Sequence, residues 1–86
     1  MDTRQKLAMN LSRLRVERGL SQERLAADSG VDRVYVGGIE RRTENPTIDI
    51  LDKLAAALEV EVGELLAAVV GDEPPPRLRA GRKPRG

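Results

Sequence analysis

The sequence contains no cysteine and no histidine among its 86 residues, which removes disulfides, thiolate nucleophiles, imidazole bases and the usual zinc ligand sets. Neither a metal nor a cofactor is therefore expected. Aromatic side chains are nearly as scarce, Tyr35 being the whole inventory. Proteins that hold unpaired bases stack them on several aromatic faces, so duplex rather than single-stranded nucleic acid is the target this composition leaves open. Long apolar runs are missing too. The longest, Leu65 to Val70, falls far short of the roughly 20 residues that cross a bilayer. No charged-then-apolar leader opens the sequence, so a cytoplasmic protein without a membrane partner is expected.

What is present is charge and helix-forming aliphatic residues: 34% charged and 40% hydrophobic, the balance of a soluble helical domain. The net charge of +1 conceals a polarity along the chain. Up to Arg42 there are nine Lys/Arg against six Asp/Glu. From Asp49 to Glu64 the sign reverses, with Lys53 alone against Asp49, Asp52, Glu59, Glu61 and Glu64. One half can face phosphate; the other should avoid it.

Local signals divide the chain into five helices, an all-α fold. Asp2 caps a first helix over 3–18, with Leu7, Leu11 and Leu14 at helical spacing and Gly19 ending it. Ser21 caps a short second helix over 22–29, closed by Gly30. Asp32 caps a third helix running to about Arg41, and only Gly30, Val31 and Asp32 separate it from the second. That separation matches the turn of about 3–4 residues in a DNA-reading helix pair. Asn45-Pro46-Thr47 is a loop and a fresh cap, after which Ile48, Leu51, Leu54, Ala55 and Leu58 mark one face of a fourth helix. A fifth is expected over 62–69. The domain thus spans 1–70, and 71–86, rich in Pro, Gly and Arg, reads as a disordered basic tail of charge +3. The sequon Asn10-Leu11-Ser12 lies inside the first helix and is read as chance.

Leu14-Arg15, Arg18-Gly19-Leu20-Ser21-Gln22, Leu25-Ala26, Tyr35 to Arg41 and Asn45-Pro46-Thr47 together resemble the XRE family, the phage Cro and repressor-type helix-turn-helix proteins. The resemblance covers residues 5–68. It implies a lambda-repressor-like fold, and the short single-domain members it resembles are restriction-modification controller proteins, phage Cro-like regulators and antitoxins. Two departures stand out: Gly37, where the family more often has serine, and Arg42, where glycine is common after the helix.

Arg33, just after its cap at the exposed end of the third helix, can reach guanine O6 and N7 together. Val34 can meet a thymine methyl or brace the helix. Gly37 and Gly38 cost a helix interior about 2 kcal/mol relative to alanines, which calls for a compensating reason. Close approach to DNA, which puts Gly38 with Arg33 and Val34 on the base-facing side, and tight packing of the helix both supply one. Ser21 and Gln22, at the start of the second helix, suit a phosphate. Tyr35 can donate its hydroxyl to another while its ring packs on the domain. The resemblance adds Arg41, Arg42 and Asn45 as phosphate contacts along the loop after the third helix. It also implies a structural salt bridge between Arg15 and Glu40. The apolar surplus at the C-terminal end makes Leu65, Leu66 and Val69 the expected homodimer contact.

Two functions fit these residues. One is a homodimeric transcription regulator on a pseudo-palindromic DNA duplex, its half-sites about 34 Å apart. The other is an antitoxin or anti-regulator acting mainly through a protein partner, for which the glycines of the third helix and the long basic tail leave room. No histidine, cysteine, phosphate loop or metal-ligand cluster supports an enzyme.

Overall fold

The computed structural model describes residues 1–69. Five helices occupy them: α1 (Thr3–Glu17), α2 (Gln22–Ser29), α3 (Arg33–Glu40), α4 (Ile48–Leu58) and α5 (Val62–Leu65). Val70 and the basic tail read over 71–86 lie outside the described residues.

Each start has a chemical cause. At α1, Gln5 N donates to Asp2 Oδ1 at 2.9 Å and Asp2 N donates to Gln5 Oε1 at 3.0 Å, a reciprocal capping box. Ser21 Oγ accepts from Arg24 N at 3.0 Å, Asp32 Oδ2 from Val34 N at 2.9 Å, and Thr47 Oγ1 from Ile50 N at 3.2 Å. These side chains satisfy amides that a helix start leaves without partners.

The ends are equally local. Past α1, Gly19 turns left-handed at φ +70°, and Leu20 N and Gly19 N return to Arg15 O and Val16 O, a Schellman closure. α2 stops at Gly30, φ +78°. α3 ends with the same closure as α1, Thr43 N reaching Gly38 O at 2.8 Å and Arg42 N reaching Ile39 O at 3.0 Å. Here the left-handed residue is Arg42, at φ +65°.

α2 packs on α3 and α4, α1 on α3 and α5, and α4 on α5. Leu11, Leu25, Val36, Ile39, Leu54, Leu58 and Leu65 fill the centre with almost no exposed surface. Each such side chain contributes about 1.5–3 kcal/mol of burial. Val31, in the turn between α2 and α3, is buried as well, so the turn is tied to the core and the angle between the two helices is held.

The fifth helix is shorter than its periodicity predicts, ending at Leu65 rather than near Val69. The cause lies in α1. The buried Asn10 amide donates to Leu65 O and to Ala67 O, both at 3.0 Å, and these carbonyls bond across the domain instead of continuing a helix. Leu65 itself is 0% exposed and belongs to the core. It has no surface left for a second copy, which removes it from the dimer contact expected of it.

Candidate nucleic-acid interface

α3 emerges from the core with its first turn outward. Val36, Gly37, Gly38 and Ile39 are buried, whereas Arg33 and Val34 stand in solvent. Val34 is 63% exposed, an unusual position for a branched apolar side chain in so small a domain. The Arg33 side chain is 51% exposed, and its Nε lies 3.3 Å from Glu23 Oε2 on α2.

The two glycines of α3 have different reasons. A Cβ on Gly38 would sit 2.5 Å from Glu44 Cγ and 3.2 Å from Thr43 Oγ1. The loop after α3 folds back over this glycine, and Thr43 Oγ1 donates to Gly38 O at 3.1 Å. Gly38 is therefore buried beneath its own chain and is not a base contact; the close approach it permits is to the 43–44 loop. A Cβ on Gly37 would meet Arg41 Nη1 at 3.0 Å and Gln22 Oε1 at 3.4 Å, the ends of flexible side chains.

At the opposite end of α3 from Arg33, the buried Arg15 with Glu40 and Gln22 forms one polar cluster. Arg15 Nε donates to Glu40 Oε2 at 2.8 Å and Nη2 to Glu40 Oε1 at 3.1 Å, while Nη1 donates to Leu20 O at 2.8 Å. Gln22 Nε2 adds a bond to Glu40 Oε1 at 3.1 Å. The salt bridge between Arg15 and Glu40 is thus present and ties α1 to α3. Gln22, read as a phosphate contact, has one hydrogen of its side-chain amide engaged by Glu40 Oε1, which also accepts from Arg15 Nη2. The second amide hydrogen of Gln22 and its backbone N–H remain as donors for an anion.

The expected phosphate contacts are spread along one continuous stretch of chain. Ser21 caps α2, Tyr35 is half-buried with its ring against the core, and Arg41, Arg42 and Asn45 are exposed on the loop beyond α3. Arg41 leans back across Gly37. Leu66 and Val69, read as dimer contacts, are half-buried, with Leu66 packed against the core. Two participants carry no local sequence signal. Glu23 reads as an acidic residue suited to a helix start, and nothing near it in sequence points to Arg33. Glu44 lies in a polar loop, and nothing there points to Gly38.

A helix-turn-helix family model matches residues 11–65. The chain is 43% identical over 75 residues to the HTH-type transcriptional regulator y4dJ of Sinorhizobium fredii, covering 87% of this chain and 95% of that one. It is similar to the crystal structure of the restriction-modification controller protein C.AhdI from Aeromonas hydrophila, with 48% identity, a TM-score of 0.70, and 72% and 94% of the two chains covered. It is also similar to the controller protein C.Esp1396I, solved as a tetramer in complex with its natural 35 base-pair operator, at 33% identity, a TM-score of 0.67, and 78% and 99% coverage. The chain belongs to the XRE-type helix-turn-helix family of DNA-binding transcriptional regulators.

Proposed function

We propose that this regulator binds a pseudo-palindromic duplex operator as a homodimer, with the first turn of α3 in the major groove, and that it controls transcription of its own gene. The observation that carries the reading is the pair Arg33 and Val34, both exposed at the start of a helix whose other face is buried. A guanidinium that can meet guanine O6 and N7, beside an apolar group that can meet a thymine methyl, is a base-reading surface. The backbone amides of Ser21 and Gln22, the Tyr35 hydroxyl, and Arg41, Arg42 and Asn45 are the phosphate contacts that set its register. Leu66 and Val69 supply the dimer contact, and the protein works in the cytoplasm at the nucleoid. The operator-bound tetramer of C.Esp1396I, a relative of similar size, supports an assembly of more than one copy on DNA. The alternative of a main protein partner rests on the glycines of α3 and on the basic tail; the loop over Gly38 accounts for one of those glycines, and the tail lies outside the described residues.

The test is a fluorescence anisotropy titration of the full chain, at near-physiological salt, against duplex from upstream of its own gene. Arg33→Ala and a chain ending at Gly71 are measured alongside. Nanomolar, sequence-dependent binding that Arg33→Ala weakens by about 1–3 kcal/mol is expected. Weak binding to every duplex, changed only by the truncation, would end this reading.

A further inference from the structure

Glu23 stands where a DNA-binding surface should not carry a carboxylate. It lies in the first turn of α2, 69% exposed, with its Oε2 3.3 Å from Arg33 Nε. Every phosphate of an approaching duplex repels it, so its presence weakens sequence-independent attraction. The start of α2 offers a partial reason, since an acidic residue there complements the helix dipole. That reason would hold equally for a carboxylate directed away from α3, and this one is paired across the turn with the residue that faces the bases. The neighbouring acid, Asp32, is occupied in capping Val34 N and Tyr35 N. Among the described residues Arg33 is the one cation within ion-pair distance of Glu23.

The geometry of the pair matters. The ion pair is made through Nε, the nitrogen that an end-on pairing with guanine does not need. In that end-on pairing guanine O6 and N7 are bridged by the two terminal nitrogens of the arginine. A carboxylate on Nε restricts the rotamers of a long side chain while leaving that fork available, and a side chain ordered before binding loses less entropy on contact. The same carboxylate disfavours the duplex wherever Arg33 finds no guanine, because there the negative charge approaches DNA without a gain that offsets it.

Resting on the reading of Arg33 as the base contact, we propose that Glu23 is a positioning residue for base recognition: it holds the Arg33 guanidinium for guanine and lowers affinity for every other sequence. Removing it then has two effects of opposite sign. Binding to unrelated duplex tightens as a repulsive charge is lost, and the preference for guanine over the other bases narrows as Arg33 becomes free to swing.

The experiment begins by selecting duplexes from a randomised pool with the full wild-type chain. At the position where Arg33→Ala most reduces the base preference, duplexes carrying each of the four base pairs are titrated. The proteins are wild type, Glu23→Gln, Arg33→Ala and the double variant, with a scrambled duplex as the sequence-independent reference. Because both side chains are exposed, unchanged far-UV circular dichroism is expected for all of them. Glu23→Gln should bind the scrambled duplex about twofold more tightly and lose about fivefold to tenfold of the preference for guanine. In the Arg33→Ala background it should no longer change base preference. Three results would overturn the proposal. If Glu23→Gln keeps the full preference while Arg33→Ala loses it, Glu23 is a helix-start charge and the reading of Arg33 survives. If Glu23→Gln narrows the preference equally without Arg33, Glu23 contacts a base on its own. If no position responds to Arg33→Ala, the base-reading role of Arg33 falls and this inference falls with it.

Discussion

Arg15 and Glu40 meet side by side, Nε to Oε2 at 2.8 Å and Nη2 to Oε1 at 3.1 Å, across 25 residues of chain. Their side chains are only 10% and 11% exposed, so neither charge can turn to water if the other is removed. The pair sits at the far end of α3 from Arg33 and fixes that helix to α1.

Glu40→Ala should therefore destabilise the domain by about 3–5 kcal/mol, since it strands a buried guanidinium. That is a large share of the roughly 5–15 kcal/mol that hold such a domain together. Urea denaturation of Glu40→Ala, and of Arg15→Met combined with Glu40→Leu, checks this. The double substitution should recover much of the loss, because two well-packed apolar groups leave no charge unpaired.

The glycines of α3 should respond differently to alanine. Gly37→Ala displaces only the tips of Arg41 and Gln22 and should be neutral or stabilising by up to about 1 kcal/mol, the helix-propensity gain. Gly38→Ala collides with Glu44 Cγ and should lower the melting temperature. Combining it with Glu44→Ala should restore most of that fall, and a double variant no more stable than Gly38→Ala alone would show that the loop is not the obstacle.

At Arg42 stability and affinity should part company. Its φ of +65° costs an L-residue about 1 kcal/mol that glycine does not incur. Arg42→Gly should raise thermal stability while weakening DNA binding, and reduce the slope of log K against log salt by about one. Melting curves and titrations at several salt concentrations read the two effects separately. Unchanged DNA affinity would mean that the arginine makes no phosphate contact.

Asn10 should govern the C-terminal end of the domain. Asn10→Ala removes two bonds to Leu65 O and Ala67 O and should cost about 2 kcal/mol. Amide exchange across residues 65–69 should accelerate more than in α2. If Leu66 and Val69 form the dimer contact, sedimentation of the same variant should show a weakened dimer, because the segment that presents them has lost its anchor.

Most of the fold was legible because helix boundaries here are decided within a few residues. Asp2, Ser21, Asp32 and Thr47 cap the helices the sequence assigns to them, and Gly19 and Gly30 adopt the left-handed turns expected of them. The spacing of Leu51, Leu54, Ala55 and Leu58 likewise marks the buried face of α4, whereas Ile48, expected on the same face, stands 73% exposed at the helix start. Arg15–Glu40 was legible for another reason: it came with the family pattern, since no local periodicity links two residues so far apart.

The sequence by itself determined where the first four helices start and stop and most of their apolar faces. Capping, left-handed turns and helical periodicity act over one or two turns of chain. Tertiary structure decided the rest. The apolar run from Leu65 does not continue as a helix because Asn10, 55 residues earlier, takes Leu65 O. Leu65 fills the core instead of facing a partner. Gly38 answers to Glu44 rather than to DNA, and Arg33 acquires Glu23 from the preceding helix. Each of these depends on which atoms meet once the helices pack, and composition and spacing carry no record of that distance.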